Sequence, residues 1–302
     1  MGRVGGPLVT DRPGGTGAVR TGLIALPWGR LYVRDRGPLT GSAPPLVLLH
    51  GFLRSGHSFR ALHAELAGER RVLVPDLPGT GDSDRPPPRD VHGYGLEWLA
   101  RAVIATLEAF DLPPVDLFGH SLGGAVALVA AAEAPDRVRR VIVEDTIGAS
   151  GELPLEGRIA LLPRLGPWVF QQLIGRAELR RHFARAASHP DLVDDEAVDV
   201  YWERLGRAGG REAAYALLQA MAAAEPLRSR LPQVRAPTLV IWGERDRLLP
   251  VRGGEALAAA LPAARLQVIE GCGHAPHEDR PDRVLALIRE FTGVGAIAPD
   301  RG

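Results

Sequence analysis

Lysine and asparagine are absent from this chain of 302 residues, and cysteine occurs once, at Cys272. A single cysteine excludes an intrachain disulfide and a zinc site of clustered thiolates, so a reducing cytoplasm is the expected compartment. Charge of either sign is not in excess: 36 basic residues face 36 acidic ones. No net field draws nucleic acid or an anionic membrane, which leaves a neutral or weakly polar small molecule as the expected partner. Long hydrophobic runs are missing too. The opening "MGRVGGPLVTDRPGGTGAVRTG" has no apolar stretch of signal-peptide length, and no window reaches the ~20 apolar residues of a membrane span, so secretion and anchoring are not expected. The missing Lys and Asn fit a GC-rich coding bias. Loss of thermolabile Asn beside 26 prolines also suits a heat-tolerant protein, an idea that a melting midpoint of about 45–65 °C would remove.

What is present is a 45% hydrophobic composition, enough for one large domain with an insertion. Residues 1–21, rich in Gly, Pro and Thr, read as a flexible tail. "LIALP" and "RLYVRDRG" form a starting hairpin, and "PLVLLHG" (45–51) and "RVLVPDLPG" (71–79) are buried-strand runs ending in Gly or Pro turns. Between Tyr94 and Leu112, apolar residues recur at spacings of three and four, which predicts an amphipathic helix. Strand "VDLFG" (115–119), helix "SLGGAVALVAAAEAP" and strand "VRRVIVED" (138–145) follow. Alternating strands and helices predict an α/β fold with a mostly parallel sheet covered on both faces.

The alternation stops over 150–233, where four helical stretches are separated by Gly or Pro breaks. So long an excursion reads as an inserted all-helical cap. It resumes with "APTLVIWGERD" (236–246), "ARLQVIEG" (264–271) and "DRVLALIREF" (282–291). The core is therefore assigned to 22–149 and 234–292, with a C-terminal tail at 293–302.

"GHSLGG" (119–124) lies at a strand-to-helix junction. A Gly-x-Ser-x-Gly match is weak alone, but on such a turn only glycine leaves room beside a projecting serine, and the next helix presents its positive end. Ser121 is the candidate nucleophile. Its hydroxyl needs a base, and His274 in "GCGHAPHEDRP" sits past another strand, with His277 as a substitute candidate. The base needs an orienting carboxylate, for which Asp246 past "LVIWGER" is the first choice and Asp145 the second. Backbone N–H groups of Phe52, in "LLHGFLRSG", and of Leu122 are the expected oxyanion donors.

With these residues in view, the chain resembles the α/β-hydrolase fold superfamily, specifically serine esterase-like members with a helical cap. The resemblance runs from about 22 to 292 through His50-Gly51-Phe52, "DLPGTGDSDRP" (76–86), "GHSLGG", "GERD" (243–246) and "GCGHAPHEDRP" (271–281), five motifs in family order. It implies a Ser121–His274–Asp246 triad, no metal or organic cofactor, and hydrolysis of small or medium carboxylic esters, with water resolving an acyl-enzyme. Relatives that open epoxides carry Asp at the nucleophile position, so Ser121 argues for acyl chemistry. Relatives that split carbon–carbon bonds of ring-fission products typically show Asn before the serine and Trp after the histidine. Here those places hold His120 and Ala275, which ranks that reading below ester hydrolysis. Perhydrolase or haloperoxidase chemistry and acyl transfer use the same triad. A non-catalytic ligand receptor on the scaffold is the alternative from another class.

The remaining candidates have plainer readings. Ser121 as a mere helix cap is set against its matching partners. His50 and His120 read as structural, and Asp82, Asp84 and Glu244 as turn or ion-pair residues. Cys272 reads as a buried filler. "DRPPPRD" (84–90) reads as a rigid surface loop. Phe52 is a candidate pocket wall, and Trp168, Phe170, Trp202 and Tyr215 in the cap serve equally as walls or as cap core, with Trp168 and Phe170 the first of them to be set against substrate.

Overall fold

The structure is a computed structural model that describes residues 9–10, 19–88, 93–148, 161–162, 165–223 and 225–295. Its strands are β1 (Val9–Thr10), β2 (Arg20–Leu26), β3 (Gly29–Arg36), β4 (Leu46–Leu49), β5 (Val72–Pro75), β6 (Val115–His120), β7 (Val138–Glu144), β8 (Thr238–Gly243) and β9 (Ala264–Ile269). Among the described residues they form one sheet in the order β1-β2-β3-β5-β4-β6-β7-β8-β9. From β5 to β9 all neighbours are parallel, while β1, β2 and β3 join antiparallel.

Strand register shows why the central runs are continuously apolar. Leu46 and Leu48 of β4 face one core, with Val72 and Val74 of β5 and Leu239 and Ile241 of β8. Val47, Leu49, Leu73, Val240 and Trp242 face the other. Successive side chains point to opposite faces, and both faces are covered, so no position is left for polar alternation. Helices α1 (Arg60–Leu66) and α10 (Pro281–Thr292) cover the first face; α2 (Leu96–Ala109), α3 (Leu122–Glu133) and α9 (Arg252–Ala260) cover the second.

Between β7 and β8 run α4 (Leu165–Leu173), α5 (Arg176–Ala186), α6 (Asp195–Leu205), α7 (Gly210–Ala222) and the short α8 (Glu225–Arg228). They hold two small clusters of their own, and Phe52 and Leu53 of the core pack against them. Asp82 ties the loop after β5 to α6 by accepting from Arg204 (2.8 Å) and from Arg207 (2.6 Å) just beyond it. The expectation that Asp82 and Asp84 serve ion pairs matches these bonds and the Arg30–Asp84 contact at 3.1 Å.

The amino-terminal segment departs from expectation. Arg20 and Thr21, assigned to a flexible tail, belong to β2, and Val9 and Thr10 pair with them. β-Branched residues beside an otherwise unpaired strand edge have both the conformational preference and the open N–H and C=O groups for this. The rest of residues 1–18, part of the Pro-rich loop (89–90), residues 149–160, and the tail beyond 295 lie outside the described residues. Among the described residues, no helix is long and apolar enough to cross a membrane.

Candidate active site

Every sequence-selected reactive residue follows the carboxyl end of a parallel strand: Ser121 after β6, Asp145 after β7, Asp246 after β8 and His274 after β9. Parallel neighbours bring these ends to one edge of the sheet, where open α/β folds gather their ligands.

Ser121 adopts φ +52° and ψ −115°, a conformation L-residues rarely take. Two glycines permit the turn. A Cβ on Gly123 would lie 2.1 Å from the Leu49 carbonyl oxygen, and one on Gly119 would lie 2.3 Å from that of Gly123. The elbow is held from outside as well: Ser121 N–H donates to the Glu144 carbonyl (2.9 Å), and Thr146 Oγ1 donates to the Ser121 carbonyl (2.8 Å).

Ser121 Oγ lies 3.1 Å from Nε2 of His274, and Nδ1 of the same ring lies 2.7 Å from Oδ2 of Asp246. Asp246 Oδ1 accepts the N–H groups of Leu248 (2.7 Å) and Leu249 (2.9 Å). The structure thus brings together the three residues selected first. All three are buried. Burial pushes the Asp246 carboxyl upward, but the His274 charge and hydrogen bond outweigh it, and the net position is below the usual carboxylate value. Asp246 stays ionised, with its charge directed at the imidazole. A serine hydroxyl, a base and an orienting carboxylate in this chain can deprotonate Ser121 as it attacks.

Phe52 and Leu122 are placed consistently with the expected oxyanion site. Leu122 is the first residue of α3, where backbone N–H groups have no intrahelical acceptor. Gly51, the neighbour of Phe52, touches the elbow: a Cβ there would lie 3.1 Å from the Ser121 Cβ. The Phe52 ring packs 6.4 Å from that of Phe170, which lies 5.5 Å from Tyr215. Trp202 packs in this cluster too. Trp168 does not join them. It is 58% exposed, because two residues along a helix turn it by about 200° from Phe170. The expectation of Trp168 as a pocket wall is corrected accordingly.

The second-choice groups also find places. His277 turns away from Ser121 and contacts Glu144 through Nδ1, against the Phe59 ring at 4.8 Å. Burial lowers His277 to about 3 and raises Glu144 well above the carboxylate range, so the pair is neutral. His120 donates from Nε2 to the His274 carbonyl (2.8 Å), fastening the base's loop to the residue before the nucleophile. On the far side of that loop, His274 N–H donates to the Ala186 carbonyl at the end of α5 (2.6 Å). Sequence reasoning missed Glu144 and the links through His120 and Ala186. The signal available was the His-x-x-His spacing of 274 and 277, which puts a second ring beside the same strand end.

His50 is structural, as expected: Nδ1–H donates to the Gly51 carbonyl (2.9 Å), and Nε2 accepts the Leu77 N–H (3.0 Å). Glu244 accepts the Gly271 N–H (3.0 Å). Burial pushes the Cys272 thiol up to about 12, so it is an inert filler. Among the described residues, two groups bring metal-ligand atom types within 4.8 Å of one another: His120, Glu144 and His277, and Asp145, Asp246 and His274. The first is knit by the hydrogen bonds just given, and the second contains the serine's base and its acid.

Comparison with known proteins places this geometry in a family. Residues 44–281 match the family model described as alpha/beta hydrolase fold. The chain belongs to that family. It is 32% identical over 263 residues to the 2-hydroxymuconate semialdehyde hydrolase of Pseudomonas sp. (strain CF600), covering 83% of this chain and 88% of that one. It is 33% identical over 267 residues to the magnesium-chelatase 30 kDa subunit of Rhodobacter capsulatus, covering 86% and 90%. Among solved structures, Cfl2 from Burkholderia cenocepacia superposes with a TM-score of 0.80 at 25% identity, covering 95% of this chain and all of the other.

Proposed function

We propose that the chain is a serine hydrolase that attacks a carbonyl carbon. The carrying observation is the contact of Ser121 Oγ with His274 Nε2 at 3.1 Å while Nδ1 meets Asp246 at 2.7 Å. His274 takes the Ser121 proton as Oγ attacks, the Phe52 and Leu122 N–H groups receive the oxyanion, and the imidazolium returns the proton to the leaving group. Water, activated by the same ring, then releases the acyl group from Ser121. We read α4–α8 as a cap, with Phe52, Phe170 and Tyr215 walling the acyl side, and no metal or organic cofactor enters this scheme.

For the bond broken, the relatives favour carbon–carbon hydrolysis over the ester hydrolysis suggested by the residues. 2-Hydroxymuconate semialdehyde contains no ester, so the similar Pseudomonas enzyme has only carbon–carbon bonds to hydrolyse. A dienol ring-fission product is therefore the first substrate class. A carboxylic ester is the second, favoured by His120 and Ala275 at positions where carbon–carbon hydrolases typically carry Asn and Trp.

The experiment is a two-arm assay of wild type and Ser121→Ala against dienol ring-fission compounds and a chain-length series of p-nitrophenyl esters. Faster turnover in the first arm is expected, with both activities lost in the variant. Faster ester turnover moves the second reading to the front. Activity retained by Ser121→Ala overturns the serine mechanism.

A further inference from the structure

Beside the triad acid stands a second carboxyl that the mechanism above does not use. Asp145 directly follows β7, whose neighbour β8 leads into Asp246. Its backbone N–H donates to the Ile241 carbonyl (3.0 Å), and its Oδ1 accepts the Gly243 N–H (3.0 Å), so one oxygen suffices to fasten the residue to β8. Oδ2 is buried and receives no N–H or O–H from another residue, and the Asp145 and Asp246 carboxyls share a side-chain hydrogen bond. An oxygen of Asp145, an oxygen of Asp246 and a ring nitrogen of His274 all lie within 4.8 Å of one another. The backbone is held at φ +43°, a left-handed conformation uncommon outside glycine.

Two enclosed carboxyls this close do not both carry charge. Asp246 has the imidazole and two backbone N–H groups around it, and holds the charge. Asp145 has one N–H and the charged Asp246 beside it, and holds a proton; burial first, then the Asp246 charge and hydrogen bond, push it well above the carboxylate range. The titratable groups facing Asp145 are thus Asp246, Glu144 and His274.

We infer that Asp145 is a reserve acid for the triad, able to orient His274 when the Asp246 carboxylate is missing. This rests on the serine-hydrolase reading. Removing Asp246 takes away the charge and the hydrogen bond that add to burial in keeping Asp145 protonated, and empties the space between Asp145 and the ring. The Asp145 proton then leaves to solvent, the side chain turns through its torsions across the remaining gap, and the carboxylate accepts the Nδ1–H of His274. No other bond forms or breaks.

The test measures the rate of fluorophosphonate labelling at Ser121, which needs no knowledge of the substrate, in wild type, Asp145→Asn, Asp246→Ser and the double variant. Serine at 246 keeps an acceptor near the Leu248 N–H. Loss of the orienting acid from a triad of this kind costs about 10⁴-fold. Asp246→Ser is expected to stay within about 100-fold of wild type, and the double variant to fall by at least a further 100-fold or so, while Asp145→Asn alone costs under about tenfold. Labelling of Asp246→Ser should also rise with pH through the ionisation of Asp145, a dependence the double variant lacks.

Equal rates in Asp246→Ser and the double variant overturn the inference, as does a full loss of about 10⁴-fold in Asp246→Ser alone. Melting midpoints accompany each rate. If Asp246→Ser does not fold, Asp246→Ala, which also empties the space, is read with and without Asp145→Asn by the same criterion. Failure of wild type to label refutes the serine mechanism itself, an outcome distinct from loss of labelling on changing Asp246.

Discussion

Ser121 is held in a backbone conformation that costs about 1–3 kcal/mol for a residue with a side chain. Function keeps it there, since only that turn presents Oγ to His274 at 3.1 Å. Ser121→Gly is therefore expected to raise the melting midpoint while abolishing fluorophosphonate labelling. A fall in stability would show that the turn is unstrained. His63 makes a second expectation at this scale. It is buried, donates from Nε2 to the Val72 carbonyl (3.3 Å), and burial lowers it from 6.5 to about 4. Between those values the unfolded chain binds the proton and the folded chain does not, so this group's contribution to stability rises with pH and is lost on acidification. The loss approaches the order of 3 kcal/mol at the acid end. His63→Gln should remove that part of the pH dependence, seen by comparing urea unfolding of variant and wild type from pH 7 to 4.

The element that matters most is the β6–α3 turn. Gly123→Ala drives a Cβ against the Leu49 carbonyl, backbone that cannot rotate away. A loss on the order of 3 kcal/mol, together with loss of labelling, is expected. Full activity at unchanged stability would mean that the elbow adjusts more freely than its contacts allow. This turn was legible in the sequence because its glycines, its Ser and the strand before it are contiguous. The same holds for Asp246 and His274, each past an apolar run closed by Gly. What was not legible depends on distant chain. β1 needed the open edge of β2, the Glu144–His277 pair needed two separate strand ends to meet, and the outward face of Trp168 followed from how α4 rests on Phe52. A helical stretch in the sequence gives its period, but which stripe is buried is decided by what it packs against.

Across the whole molecule, the sheet separates chemistry from support. β6 leads into Ser121 at one end and carries near its other end Asp116, whose buried carboxylate holds Arg70 (2.6 Å) and Arg139 (2.6 Å) at the opposite edge. Removing one partner of such a cluster leaves buried charge unpaired, so Asp116→Ala is expected to cost about 3–5 kcal/mol in urea unfolding. The folded fraction should still label at close to the wild-type rate. A selective loss of labelling there would couple the two edges in a way the contacts do not indicate. Every step of the proposed reaction begins with an activated Ser121, and intact-mass and peptide mass spectrometry of the fluorophosphonate-treated protein measures that activation most directly. The expected result is one adduct per chain, on Ser121, absent from Ser121→Ala. An unmodified wild-type chain, or an adduct on another residue, would contradict the account.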